Sequence, residues 1–413
     1  MTLPISSIPG ALAALAALTL SSPAWASPGN GIRLGGGEGR VHPYVELQLG
    51  WDSNAQYRAS EREAAMILHV RPGLTLTAPG DRLALEGEVQ LDWEQFLSGE
   101  DTNGLSNLFA DASLGVGVNR KGVLGLELRD RFERSPSTAS LTFSSAVISD
   151  RNVLDVAVPW RPGGGALAVT ALGSWALESF DPYGDCAPGA DPNASCGTEE
   201  ELSGLGYDDL RGGLEAKWRF LPRTALVVDG GYQSRLPNDE ERSQKVEGWR
   251  ASAGFQGLVT PHLAATLKGG YGSASGAATD LGTWLAGVEL EWLPTVTTSA
   301  KLGYVHNWGT DPGSIYGLFS THRVYADAKV LLAGRFTAAI RGQLASMDYE
   351  AEAAGTSTVV DVQPSLDYAF ARWGLVGVGY QFQSRDADVA PIYDPYAFDY
   401  SRNALWLRVR GTY

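Results

Sequence analysis

Cys186 and Cys196, five histidines, and carboxylates and arginines repeated at every second position are the residues of this 413-residue chain that could do chemistry. The two cysteines share one polar stretch with Asp181, Asp185, Asp191, Glu199, Glu200 and Glu201. Their spacing fits neither a redox C-x-x-C motif nor a zinc site, and in an exported chain a local pair reads as a disulfide that staples a loop. The acidic residues lack the spacing of a calcium loop, so a solvated loop is expected, with no metal. The histidines are His42, His69, His262, His306 and His322. A hydrolytic site would need serine, histidine and a carboxylate or amide together. His306 and Asn307 are neighbours that an alternating pleat sends to opposite faces, and Asp208-Asp209 meets the same objection. Gly35-Gly36-Gly37 precedes no helix, while the glycines at 115, 117, 377 and 379 alternate along strands, so no phosphate loop is expected either. The expectation is a protein that is not an enzyme and needs no cofactor.

The alternating charges carry the stronger signal. Glu86, Glu88, Gln90, Asp92 and Glu94 interleave with Leu83, Leu85, Val89, Leu91 and Trp93. Glu127, Arg129, Arg131 and Glu133 interleave with Leu124, Leu126, Leu128 and Phe132; Arg211, Glu215, Lys217 and Arg219 repeat the pattern. At the end of the chain Trp406, Arg408 and Arg410 alternate with Leu405, Leu407, Val409 and Gly411, and Arg385 belongs to the preceding strand. A period of two with one apolar and one charged face suits a wall between lipid and water. These charges are therefore read as lining a lumen. Opposed acidic and basic stripes would set up a transverse field that orients solutes, and the same charges could equally brace the wall as ion pairs. The lumen face also offers Trp406, Phe96, Phe109 and Tyr325 among Gln90, Gln233, Gln256, Gln343, Gln381 and Gln383, which suits sugar rings as well as water.

The elements that position these residues are short strands. The chain has 50 glycines, 12 tryptophans and 16 tyrosines, with an apolar content of 44% and a mean hydropathy of -0.11. It has no apolar run long enough for a membrane helix. A net charge of -15 argues against a nucleic-acid partner. Tight turns at 79–81, 119–122, 161–165, 221–223, 260–262, 293–295, 333–335 and 371–372 alternate with longer polar connections. The pattern predicts an all-β fold: a transmembrane antiparallel up-and-down β-barrel of about eighteen strands over 44–413, with both termini on the short-turn side. Trp160, Trp218, Phe220, Trp292, Phe336 and Phe370 sit beside the short turns; Trp93, Trp175, Trp284, Tyr232, Tyr271 and Tyr304 sit toward the long loops. Trp284 and Trp292 share a face about 27 Å apart along one strand, about 20 Å in height at a tilt of ~40°, close to the apolar band between two aromatic girdles. Residues 1–26 carry no charge, an apolar run from Ala11 to Leu20 and an Ala24-Trp25-Ala26 cleavage site, and read as a signal peptide. The stretch 27–43 reads as a flexible periplasmic lead-in.

Three stretches resemble known sequences. The alternating C-terminal strand ending on Tyr413 resembles the signal by which the barrel insertion machinery recognises bacterial outer-membrane barrels. Gly50-Trp51-Asp52-Ser53-Asn54 and His69-Val70-Arg71-Pro72-Gly73-Leu74-Thr75-Leu76 resemble the G-[YW]-D-x-N and x-P-G-L-x-L openings of β-barrel porin 2 type proteins. Within these the chain looks like the outer-membrane barrel components of bacterial exopolysaccharide export systems, including those of myxobacteria. The resemblance implies a Gram-negative outer membrane and its lipid, passage of a secreted or capsular polysaccharide, and a periplasmic polysaccharide export protein as partner. The alternative is a diffusion or uptake porin for small polar solutes, with an outer-membrane hydrolase behind it. Pro72 should break a ladder bond within its strand and leave a bulge or bend.

Overall fold

Alternation of apolar and polar residues over 12 to 16 positions gives each stave one face for lipid and one for water, and the backbone polar groups then bond to the two neighbouring staves. The computed structural model describes residues 29–34, 37–57, 62–99, 105–137, 147–183, 202, 204–240, 245–276, 280–310, 318–350, 355–388 and 399–413. Its strands are β1 (Ile32–Arg33), β2 (Arg40–Asp52), β3 (Ala65–Ala78), β4 (Leu83–Phe96), β5 (Ser106–Val118), β6 (Leu126–Ser137), β7 (Val147–Trp160), β8 (Leu167–Pro182), β9 (Tyr207–Leu221), β10 (Thr224–Pro237), β11 (Val246–Thr260), β12 (Leu263–Ser275), β13 (Asp280–Thr295), β14 (Thr298–Thr310), β15 (Leu318–Leu332), β16 (Phe336–Tyr349), β17 (Thr356–Ala371), β18 (Gly374–Asp388) and β19 (Tyr400–Thr412). From β2 to β19 every stave pairs antiparallel with the next, and β19 pairs back onto β2, Ala404 opposite Asp52 through Thr412 opposite Tyr44. The result is a closed eighteen-strand antiparallel barrel with no free edge.

The register fixes its shape. Followed across paired residues once round the wall, the ladder returns to β2 displaced by about 22 residues, which for eighteen staves sets a tilt of roughly 42° and a backbone cylinder about 34 Å across. The outer face is apolar and open: Leu407 is 56% exposed, Leu267 56% and Leu302 53%. A continuous apolar girdle of this kind far exceeds the patch a water-soluble monomer exposes and is the surface of a transmembrane barrel. Exposed Trp160, Trp218, Trp292, Phe336, Phe370 and Trp373 ring the short-turn end, and Trp51, Trp93, Trp175, Tyr232, Trp249, Tyr271 and Trp284 ring the other.

Three local expectations change. The alternation that begins at Leu124 is carried on one side only before Leu126: Leu124 stays opposite Trp160 in the β6–β7 register, but the ladder with β5 ends at the Val118–Leu126 pair, beyond which Asn119, in the left-handed region at φ 52°, donates its side-chain amide to the Leu124 carbonyl at 2.6 Å. The lead-in expected over 27–43 is partly structured: β2 begins at Arg40, and Ile32 and Arg33 pair with Val41 and Arg40. There β1 replaces β19, whose own pairing with β2 ends at Tyr44. Pro72 does break the β3–β4 ladder, which lapses between the Val70–Trp93 and Gly73–Gln90 pairs, but the register on either side is the same, so there is no bulge. The signal peptide expected over 1–26 lies outside the described residues.

Candidate functional site: the barrel lumen

Paired residues on neighbouring staves share a face, so the register carries the inner surface round the wall from one reference strand. On β4 the inner set includes Glu86, Glu88, Gln90, Asp92 and Glu94, paired with Gly115, Ser113, Asp111, Phe109 and Asn107 of β5. The same rule puts Glu127, Arg129, Arg131 and Glu133 of β6, Arg211, Glu215 and Arg219 of β9, Arg385 of β18, and Arg408 and Arg410 of β19 on that surface. Cys186 and Cys196 lie outside the described residues.

Toward the long-loop end the inner charges form a connected network. Arg71 of β3 donates to Asp92 at 2.8 Å, to Glu46 at 3.1 Å and to Gln48 at 2.7 Å. His69 Nδ1 lies 3.0 Å from Asp92, and Glu94 accepts from Asn107 and from the Tyr183 hydroxyl, both at 3.0 Å. Tyr183 follows directly on β8, yet its ring stacks on Phe109 of β5, 6.3 Å between centroids, and meets Phe96 of β4 edge-on. The start of the longest loop thus folds into the barrel and covers the network with an apolar cluster of Ile67, Phe96, Phe109 and Tyr183. A second strut crosses the closing seam: Arg402 of β19 donates to Asp52 and to the Tyr57 hydroxyl, each at 2.6 Å, and lies over the Tyr57 ring at 4.6 Å. Burial pushes the Tyr57 hydroxyl up to about 12, and burial likewise pushes Tyr183 well above its ordinary value. Both hydroxyls therefore stay protonated at neutral pH, Tyr183 donating to Glu94 and Tyr57 accepting from Arg402. A cavity of about 330 Å³ lies beneath, bordered by these residues together with Gln48, Gln363, Gln381 and Trp406.

Several of the remaining inner charges pair locally, on the same stave or with one a stave or two away, instead of facing an opposite stripe. Arg408 holds Asp367 with contacts of 2.7 and 2.8 Å, Arg131 holds Asp155 at 2.6 Å, and Lys217 holds Glu215 at 3.0 Å. Arg410 lies over Tyr44 at 3.7 Å, and the Tyr44 hydroxyl donates to Glu88 and Gln90. Arg385 donates to Ser357, Arg219 to the Gly165 carbonyl, and Ser135 to Glu133; Arg120 stands 3.6 Å from Glu86. Glycines sit where inner aromatics lie flat: a Cβ on Gly379 would meet Trp406 at 2.5 Å, and one on Gly303 would meet Tyr325 at 2.1 Å. A larger cavity, about 600 Å³, runs along the wall from β4 to β11 and is bordered by Glu86, Glu127, Arg129, Arg211, Asp229 and Arg250.

No protein-family model matches the chain, and no curated protein matches it. Among solved structures it is similar to Pseudomonas aeruginosa OpdK with vanillate, 11% identical over 90% of this chain and 99% of that one, TM-score 0.43. It is also similar to Acinetobacter baumannii OccAB4, 11% identical over 94% and 100%, TM-score 0.43, and to the FrpB iron transporter from Neisseria meningitidis, 8% identical over 90% and 81%, TM-score 0.42.

Several residues of the inner surface escaped the reading of single strands: Glu46, Asp52, His69, Arg71, Asp209, Arg250, Asp367 and Arg402. Each occupies an inner position of the same period-two pattern, which was the available signal; its partner was not available, because Asp52 and Arg402 meet across 350 residues of chain. His306 and His322 stand elsewhere, 4.1 Å between ring centroids, with His306 stacked on the outward-facing Trp284 at 3.9 Å. Asn307 turns its carbonyl to the Trp308 amide at 2.9 Å. What the inner surface can do chemically is bind and orient polar solutes: it presents fixed donors and acceptors around cavities of small-molecule size.

Proposed function

We propose that the chain is an outer-membrane channel of a Gram-negative bacterium that passes small polar and charged solutes by diffusion, with both ends of the barrel wall on the periplasmic side. The observation that carries this reading is the closed wall itself, apolar and exposed outside, charged and hydrogen-bonded inside, with two cavities against its inner surface. Its partners on this reading are the outer-membrane lipid and, during assembly, the barrel insertion machinery. The test is conductance: the full chain refolded into planar bilayers should give stepwise KCl currents, and liposomes containing it should swell in small sugars and amino acids. An intact barrel that gives neither would remove the diffusion reading.

Polysaccharide export, with a periplasmic export protein docking at the short-turn end, is the second reading. Beyond the motif resemblance, one arrangement favours it: Trp406 lies flat over Gly379 beside Gln48, Gln363 and Gln381, a ring with amides around it such as sugar faces use. Deleting the gene and assaying cell-surface polysaccharide separates the two, because normal secretion with lost solute uptake contradicts export.

A further inference from the structure

Arg211 on β9 and Arg235 on β10 gather around a single carboxylate, and Arg250 on β11 stands beside them. Asp209 is 2% exposed and accepts from Arg211 at 3.1 and 2.9 Å and from the Gln233 amide at 2.8 Å, with Arg235 Nη2 at 3.5 Å. Gln233 passes the arrangement on: its carbonyl accepts from Arg250 at 3.4 Å. Among the described residues no carboxylate lies within ion-pair distance of Arg250. Asp229, one inner row away, is taken by Lys268 at 2.6 Å and Ser252 at 2.8 Å. Two guanidinium groups thus share one carboxylate, and an amide stands where an acid would have neutralised the third.

The excess charge faces space. Arg250 pairs with Gly231 on β10, and Gly231 with Gly213 on β9, so the inner row running on from Arg250 carries no side chain on either stave. Arg211 and Gln233 stand on one side of that gap and Glu215 and Asp229 on the other, and Arg211 and Arg250 both border the 600 Å³ cavity. Arg211 cannot swing away, because Asp209 grips it in a fork.

We propose that this niche is an anion-binding subsite, in which Arg250 and Arg211 take the carboxylate or phosphate oxygens of a small solute and Asp209 positions Arg211 directly and Arg250 through Gln233. The proposal rests on the channel reading and names the solute class that reading leaves open. A guanidinium without a carboxylate partner, in a wall of low polarisability, gains more from an oxyanion than a paired one does.

The test uses the full chain in planar bilayers. Wild-type KCl conductance comes first and checks the channel reading by itself; its absence would end that reading and the subsite with it. Succinate and inorganic phosphate are then added separately, and the half-blocking concentration of each is measured. Block by succinate alone assigns the niche to carboxylates, by phosphate alone to phosphates, and by both to either oxyanion. Arg250→Gln should raise the half-blocking concentration about tenfold. Arg341→Gln, which removes the same charge from the exposed Arg341–Asp327 pair on the inner wall, should change it less than about twofold. If Arg250→Gln folds poorly, Arg250→Lys keeps the charge and loses the fork, and should give an intermediate shift. Equal shifts in the Arg250 and Arg341 variants would mean a general lumen field and would overturn the subsite, as would conductance that neither anion blocks.

Discussion

Replacing Arg402 with leucine should destabilise the barrel more than any single surface change. Asp52 is nearly inaccessible, its side chain 3% exposed against 17% for Arg402, and the pair is 2.6 Å apart. Without the arginine, Asp52 keeps the Asn54 amide at 2.9 Å, the Tyr57 hydroxyl loses its charged donor, and Gln381 loses a contact of 3.4 Å. Removing one member of a buried ion pair costs about 3–5 kcal/mol, and the wet rim of the barrel places this case near 3 kcal/mol. Removing both members is different, since leucines of similar volume leave no stranded charge: the double variant Asp52→Leu with Arg402→Leu should recover to within about 1 kcal/mol of the parent. The coupling between the two sites is then about 2 kcal/mol or more. Urea unfolding in lipid vesicles, followed by tryptophan fluorescence and by heat-dependent gel migration, should show a lowered midpoint at unchanged slope for the single variant. A loss below about 1 kcal/mol, or a double variant no better than the single one, would refute the reasoning and mean that water at the mouth screens the pair.

Four further outcomes are expected. The Tyr57 hydroxyl, raised by burial to about 12, favours its protonated form in the folded state, so its contribution is complete below about pH 10 and is lost as pH rises through about 12; the urea midpoint measured from pH 8 to 12 should be flat and then fall, and a fall already under way at pH 8 to 9 would contradict the burial of this group. Gly379→Leu should push Trp406 off the wall, since the new Cβ would lie 2.5 Å from its ring, at a cost of about 1–3 kcal/mol, whereas Gly115→Ala, with 3.7 Å to its nearest neighbour, should be tolerated. Leu407→Arg places a charge midway along an outer face and should cost about 2–4 kcal/mol, while Val45→Arg near the short-turn end should cost about 0–1; equal costs would mean the apolar girdle is not where the exposed leucines put it. Finally, a Cys186→Ser, Cys196→Ser double variant should insert and show normal heat-dependent migration, because a local bridge of roughly 2–3 kcal/mol stabilises its loop and not the ladder.

The wall was legible because two solvents write on every stave. Leu85, Val89 and Trp93 against Glu86, Glu88 and Asp92 needed no partner to be read, since lipid and water select each residue separately. The connections were legible for a similar reason, as turn residues act locally. What a single strand cannot carry is its register against the next, and the site depends on that. Arg71 meets Asp92 and Glu46 only because β2, β3 and β4 pair as they do, and Asp209 collects Arg211 and Arg235 directly and Arg250 through Gln233, from three staves. Tyr183 is harder still: nothing beside it in the chain indicates that it will cross to Phe109. At the start of β6, Leu124 continues the apolar alternation and keeps its place opposite Trp160, while the end of its ladder with β5 at Leu126 was not legible, because the hydrogen bond from Asn119 beside it is a side-chain event.

The parity of the connections limits how such a molecule can change size. Because short turns and long loops alternate and the last stave bonds to the first, a stave lost or gained singly would carry one end of the wall to the opposite rim and force a parallel contact at the closure. Lengthening or shrinking the ring while keeping it closed therefore proceeds by hairpins, two staves at a time. Each such step also changes the tilt of all the others, since the offset accumulated round the ring is shared among them. An inserted hairpin far from Arg402 or Asp209 would thus be felt at both as a change in which residues face one another.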